Sequence, residues 1–346
     1  MYVYYIFFVF LLMLSIGNRS TLPMRYVLAG CLLFGLAAIR GEAVDNDYQG
    51  YLELYSAAVL GAFWNIEPSF LLLTSAVQKL FDNPLWLFVI YAALGISIKM
   101  VAFEKLSQHK MTTLVVYFSG FFLLWEMTQI RVAVAGGFML LSVVALRNRE
   151  TFWYFLLCSL ASFFHYAALI MFFLYFINGA HINRWAYCLL LPAASLLTFS
   201  DVKILDYAAF APIELIELKI ESYETYKDPS TNVFNYVFLS RCVLAYFLLA
   251  HANLLATKNR YFVTLLKLYF LGLFIHLVLA SGTGVAFRLS ELLLVVEVLL
   301  IPMLVDVFKT KALGYSCAIA TSFVFLAFSL HYTKLLSPYY VNPAFL

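Results

Sequence analysis

LWLFVIYAALGISIKMVAF, residues 85–103, decides the architecture. Crossing the hydrocarbon core of a bilayer takes about 20 apolar residues in a helix, and this run supplies them in one stretch. Working outward, comparable stretches fall at 2–16, 25–40, 111–126, 131–146, 152–177, 185–199, 236–256, 262–280, 287–305 and 312–332. Of the 346 residues, 64% are hydrophobic and 12% charged, whereas a soluble domain carries about a quarter charged residues. No water-soluble surface can be built from that. The chain reads as one all-α polytopic membrane domain over 1–346, with about 10–11 transmembrane or half-membrane helices.

The first apolar run, Tyr2 to Ile16, has no basic stretch before it and no small-residue cleavage site after it, so it is expected to stay as a membrane helix. Cys31, Cys158, Cys188, Cys242 and Cys317 all lie in apolar segments without close pairing, which points to core packing rather than disulfides or zinc. A net charge of +3 implies no nucleic-acid partner. What orients a membrane chain is how its charges divide between loops.

Lys and Arg gather between alternate segments, at Arg19 and Arg25, Lys105 and Lys110, Arg147 and Arg149, Lys258 and Arg260, and Lys309 and Lys311. These loops are expected in the cytoplasm. The opposite loops are acidic, with Glu42, Asp45, Asp47, Glu53 and Glu67 in 41–84, and Asp201 through Asp228 in 200–232. Strict alternation fails once: if both 152–177 and 185–199 crossed fully, the acidic loop after Asp201 would fall inside. A helix break at Phe163-Phe164-His165-Tyr166, with two halves entering and leaving on one side, resolves the count, because a mid-membrane His marks non-lipid surroundings. A kink at Pro192 is the rival.

Both outer regions carry helical periodicity. In 200–232, Glu214, Glu217, Glu221 and Glu224 repeat beside Ile213, Ile216, Ile220 and Tyr223, as in an amphipathic helix lying on the membrane face or a solvated acidic loop. In 41–84, Asp45, Asp47 and Glu67 neighbour Tyr48, Tyr51, Tyr55 and Trp64, the mixture of acids and aromatic faces that sugars require, and also that of an ordinary exposed loop.

An arginine at the centre of a membrane helix costs about 2.5–3.5 kcal/mol on insertion scales. Arg40, Arg131, Arg241 and Arg288 therefore need a reason, and the expected topology puts all four at outward helix ends. Guanidinium groups clamp phosphate oxygens bidentately in partly desolvated sites, so a ring of them fits a phosphorylated, membrane-embedded ligand. Snorkelling to headgroups, or pairing with Glu126, Glu291 or Glu297, is the alternative. His165 reads as a proton acceptor, a core residue or a filler at the break. His276 and His331 are weaker candidates, Gly282-Thr283-Gly284 reads as an outer turn, and no spacing makes a metal site.

Arg40-Gly41, Asp47-Tyr48-Gln49-Gly50-Tyr51, Glu67-Pro68-Ser69-Phe70, Gln129-Ile130-Arg131-Val132-Ala133, Phe163-Phe164-His165-Tyr166-Ala167-Ala168 and an Arg288-headed helix running to Pro302 follow one another across most of the chain. In this order they resemble the EpsG family, a branch of the Wzy-type polymerases that lengthen bacterial O-antigen, capsule or exopolysaccharide chains. Val44 and Val132 depart from the common Gly and Gln of that pattern.

The resemblance implies a GT-C-like polymerase bundle in the bacterial inner membrane with its active site facing the periplasm or exterior. It also implies transfer of a growing glycan from undecaprenyl diphosphate to the terminal sugar of another lipid-linked repeat unit. Arg131 and Arg288, with Arg241, are expected to hold the diphosphate, since the departing charge needs cations. Asp47, Glu67 and Tyr51 would orient the acceptor, with Arg40, Tyr48 and Glu291 also binding substrate; His165 and Asp47 compete as base. Fixed arginine charge makes a metal or other cofactor unnecessary. Expected partners are the undecaprenyl-diphosphate-linked oligosaccharide and membrane lipid, with a chain-length regulator and a flippase as candidate proteins. The alternatives are an O-antigen ligase and a flippase for the same lipid-linked sugars; the latter rocks between repeat-related halves, and no internal repeat is evident.

Overall fold

A computed structural model describes residues 1–61, 66–177, 179–198, 233–280 and 283–346. The expected amphipathic stretch 200–232 lies outside the described residues, as do Trp64 and Gly282. Among the described residues the chain is helical throughout, and extended segments meet only at two isolated antiparallel bridges, Arg40 with Val341 and Asp45 with Leu336. Helix is what an apolar chain in hydrocarbon must adopt, because every backbone polar group has to be satisfied within its own segment.

The first half comprises α1 (Tyr2–Ser15), α2 (Leu22–Ala38), α3 (Tyr48–Val59), α4 (Pro68–Leu80), α5 (Leu85–Leu106), α6 (Lys110–Tyr117), α7 (Ile130–Asn148) and α8 (Thr151–Phe164). After it come α9 (Met171–Leu174), α10 (Arg184–Thr198), α11 (Tyr236–Ala250), α12 (Ala252–Lys258), α13 (Phe262–Val278), α14 (Thr283–Leu294), α15 (Glu297–Leu300), α16 (Leu304–Val307) and α17 (Lys311–Ala327). Four runs are long and apolar enough to cross alone: Arg19–Ala38, Leu85–Leu106, Ile130–Asn148 and Lys311–Tyr332. The pair α11 and α12, bent by 77°, makes a fifth if taken as one span. Helices α1, α8 and α13 are apolar but shorter, so fewer segments cross by length alone than their number along the chain implies. Region 41–84 contributes helices α3 and α4, packed on each other.

Helix α7 is the hub. Of its most apolar window 72% is buried, against 28–44% in the other three long runs, and it lies between α5 and α8. Its Ala- and Gly-rich sequence permits that central place, since small residues let neighbouring backbones approach.

The break around His165 is present. Helix α8 ends at Phe164, His165 is extended (φ −156°, ψ 124°), and a 3-10 turn, Tyr166–Ile170, leads into α9. Arg149, just before α8, donates to the carbonyls of Tyr175 (2.6 Å) and Ile177 (2.8 Å), and Thr151 Oγ1 meets the Tyr175 hydroxyl at 2.6 Å. The two halves therefore start and finish at the same end, as a hairpin that enters the bundle and returns. Pro192, by contrast, sits inside an uninterrupted α10.

That end also collects the basic loops. Arg147 Nε donates to the Arg260 carbonyl at 3.0 Å, Gln108 donates to the Lys258 carbonyl, and His109 meets Asp306 at 2.8 Å.

One buried pair lies wholly among the apolar helices. Lys99 Nζ of α5 stands 2.6 Å from Glu126 Oε1, at the end of the π-helical run Phe118–Glu126 that extends α6. The Tyr117 hydroxyl donates to the same oxygen at 2.6 Å, and Lys99 also donates to the Ala133 carbonyl of α7. Gly95 makes room, for a Cβ there would come within 2.5 Å of Glu126 Oε2. Lys99→Met strands the carboxylate in a dry interior and is expected to cost about 3–5 kcal/mol, whereas Lys99→Met with Glu126→Leu removes both charges and recovers most of the loss. Thermal unfolding of purified protein in detergent is the check, and a double variant no more stable than the single one would count against the pair as the cause.

Candidate functional site

At the end of the bundle away from the basic loops, α2 stops and the chain turns through 39–47. Arg40 satisfies one of the helix's open carbonyls, Nη1 donating to Ala37 at 2.7 Å, while Nε donates to Asp45 Oδ2 at 2.8 Å. Asp45 Oδ1 in turn accepts the Asp47 amide at 3.0 Å, which sets the start of α3. The Arg40 guanidinium lies over the rings of Phe88 (4.9 Å) and Tyr48 (5.7 Å), which stack on each other at 4.2 Å. Arg40 and Tyr48, both expected to bind substrate, are thus buried in the layer beneath the site.

Residues 336–342 close over this turn. Gly41 donates to the Tyr340 carbonyl (2.9 Å), the Ala43 amide to the Tyr340 hydroxyl (3.0 Å), Ser337 to the Val44 carbonyl (2.8 Å) and Asn342 to the Ile39 carbonyl (2.9 Å). Val44 is fully buried against this strap.

Glu67 precedes Pro68, which opens α4 with its φ already suited to a first helical turn. Its buried carboxylate is shared: Oε2 accepts from Arg131 Nη1 at the head of α7, and Oε1 lies 3.1 Å from His165 Nδ1 at the helix break. The Arg131 guanidinium lies over Tyr51 (5.6 Å) and Phe70 (5.7 Å). Nε2 of His165 and Nε of Arg131 are buried without a hydrogen-bond partner.

Asp47 and Arg288 complete this neighbourhood through charge. The Asp47 carboxyl opens outward, but the protein around it pushes its pKa above the usual carboxylate range, opposed by Arg288 first, then Arg131 and Arg40. Among the described residues neither Asp47 nor Arg288 has an ion-pair partner within 4.0 Å, whereas Arg40, Arg131 and Arg241 each have one.

Arg241 stands apart from that cluster. Its Nε and Nη2 fork onto Glu297 at 3.0 and 3.1 Å, and the Tyr269 hydroxyl donates to Glu297 Oε2 at 3.0 Å. This pair borders a cavity of about 450 Å³ lined by Glu291, Ser290, His276, Phe238 and Phe287. Helix α14 carries both Arg288, whose charge acts on Asp47, and Glu291, which lines the cavity. Among the described residues no group of three or more His, Cys, Asp or Glu side chains is disposed to hold a metal ion.

Sequence reasoning overlooked the Lys99–Glu126 pair and the C-terminal strap. The first left a signal, a lysine deep in an apolar run; the second left none, because 336–342 carries no charge at all.

These features define a class: a polytopic helical membrane protein with a charged, aromatic-walled site at the end opposite its basic loops. The sequence matches the EpsG family over residues 24–341, and the chain belongs to that family, which is of polysaccharide-polymerase type. No curated protein and no solved structure matches it.

Because desolvation raises the Asp47 pKa and Arg288 leads the charges that oppose it, Asp47 should protonate at a higher pH than a free aspartate as pH falls. Arg288→Gln removes that opposition and should move the protonation higher still. Infrared titration of the carboxyl band, assigned with Asp47→Asn, measures both; an unmoved band in Arg288→Gln would show that Arg288 does not act on Asp47.

Proposed function

We propose that this EpsG-family protein is a membrane glycosyltransferase that moves a growing glycan from undecaprenyl diphosphate onto the terminal sugar of another lipid-linked repeat unit. The observation that carries the reading is Arg288. It is a cation without an ion-pair partner among the described residues, acting on Asp47 and lying in the same charge field as the Glu67–Arg131–His165 group. In the transfer, an acceptor hydroxyl oxygen bonds to the anomeric carbon, and the bond from that carbon to the diphosphate breaks with its electron pair staying on the diphosphate. The hydroxyl proton passes to a base, His165 or Asp47. Arg288 and Arg131 meet the departing charge, fixed cations being effective where water is excluded, and this reading gives a metal no part in the step.

The neighbouring cavity suits a sugar, with Arg241 and Glu291 for hydroxyl groups and Phe238 and Phe287 for ring faces. Tyr51 completes the acceptor side. Since basic loops favour the cytoplasm, a site at the opposite end favours the outer face of the inner membrane.

Purified protein given a lipid-linked repeat unit should produce a ladder of longer products, and Arg288→Gln should lower that rate about 100-fold or more. Donor binding without any ladder from the wild type would defeat the polymerase reading. In cells, loss of the protein should leave single units displayed outside; units trapped facing the cytoplasm would mean a flippase instead.

A further inference from the structure

Glu67 is the only carboxylate within hydrogen-bonding reach of His165 among the described residues, and the geometry fixes what each atom can do. An ionised carboxylate only accepts hydrogen bonds. Its other oxygen accepts a hydrogen bond from the Arg131 guanidinium, which pairs with it as a carboxylate. Facing Glu67 Oε1 at 3.1 Å, Nδ1 of His165 must therefore carry the hydrogen. In the neutral ring this leaves the lone pair on Nε2, a buried nitrogen with no hydrogen-bond partner. A buried imidazole nitrogen left unpaired is costly, and the helix break that presents it has no Gly or Pro to account for it. The charged groups that act on the ring are Glu67 from the head of α4, in contact with it, and Arg131 from α7 and Arg288 from α14 through charge.

We infer that Glu67 is a positioning residue that sets the tautomer and orientation of His165, so that Nε2 takes the acceptor hydroxyl's proton; this rests on the transfer reaction proposed above. Glu67 then has a different task from sugar recognition, and Asp47 is left to bind rather than to act as base. As the glycosidic bond forms and the bond to diphosphate breaks, the proton moves from the acceptor oxygen to Nε2. The resulting imidazolium keeps its Nδ1 hydrogen on the Glu67 carboxylate. A base oriented by a third group in this way is a recurring arrangement in transfer enzymes. It needs no co-reactant beyond the two lipid-linked units.

The tautomer can be read without any substrate. Nitrogen-15 NMR of histidine-labelled protein in lipid nanodiscs at neutral pH, with His165→Gln to assign the signal, should show His165 protonated on Nδ1 alone. Glu67→Gln should lose that signature, and Glu67→Asp should retain part of it. In the polymerisation assay Glu67→Gln should lower kcat about 100-fold with little change in KM, yet cost little more when added to His165→Gln, as expected for residues acting as a unit. A wild-type signal from the Nε2-protonated tautomer, a Glu67→Gln spectrum unchanged from wild type, or losses that multiply in the double variant would each overturn the assignment. Should the Nδ1 tautomer be found while the wild type makes no polymer, the proposed reaction fails and the Glu67–His165 geometry stands.

Discussion

Because the Glu67 carboxylate is sealed from water, Arg131 and His165 each take one of its oxygens, and the elements they come from cannot move independently. Those elements are the start of α4, the start of the central helix α7 and the break after α8. Removing the carboxylate would leave a half-buried cation and a buried imidazole without their shared acceptor. The hairpin that delivers His165 is irregular backbone at bundle depth, tolerated only where protein surrounds it. Site and fold are thus set by the same contact.

The same constraint orders the other charges. Arg40 with Asp45, Arg241 with Glu297 and Lys99 with Glu126 are each paired before any ligand arrives. Such pairs gain little net stability over apolar neighbours of equal size, but breaking one is expensive, so Arg241–Glu297 and Lys99–Glu126 act as registration points between helices while Arg40–Asp45 fixes the turn after α2. With those cations occupied, an anion reaching this end meets Arg288, which has no ion-pair partner among the described residues, and reaches Arg131 only by competing with Glu67. Affinity for an anion at this end therefore depends on a balance of charges rather than on their number.

Much of the fold was legible because membrane insertion writes simple rules into sequence. The long apolar runs at 85–103 and 131–146 become α5 and α7, and the basic residues between segments meet at one end, Arg147 against Arg260 and Gln108 against Lys258. The break at His165 was legible from parity, since an odd number of crossings would have put an acidic loop on the wrong side. Four arginines stood out by their cost, but cost does not name a partner. Whether Arg40 points at a ligand or at Asp45, only five residues on, depends on how the turn folds. Tyr48 looked like a sugar platform and is a wall beneath Arg40, because a tyrosine beside an acid reads the same whichever way its ring turns. Shorter helices such as α1 and α13 mislead in the other direction, since apolar composition marks a segment that enters the membrane without saying that it reaches the far side.

The strap over the Arg40 turn has a bearing on assembly order. Ala43 and Tyr340 are 297 residues apart in sequence, and Leu36 and Tyr339 are 303 apart, yet their hydrogen bonds hold one rim of the site. As the chain is inserted, α2 and the turn after it are in place long before 336–342 leaves the ribosome. Until then Arg40 and Asp45 lack their cover, and the turn is held from one side only. Closing contacts of such long sequence separation is slow, so the rim is among the last parts of the molecule to set.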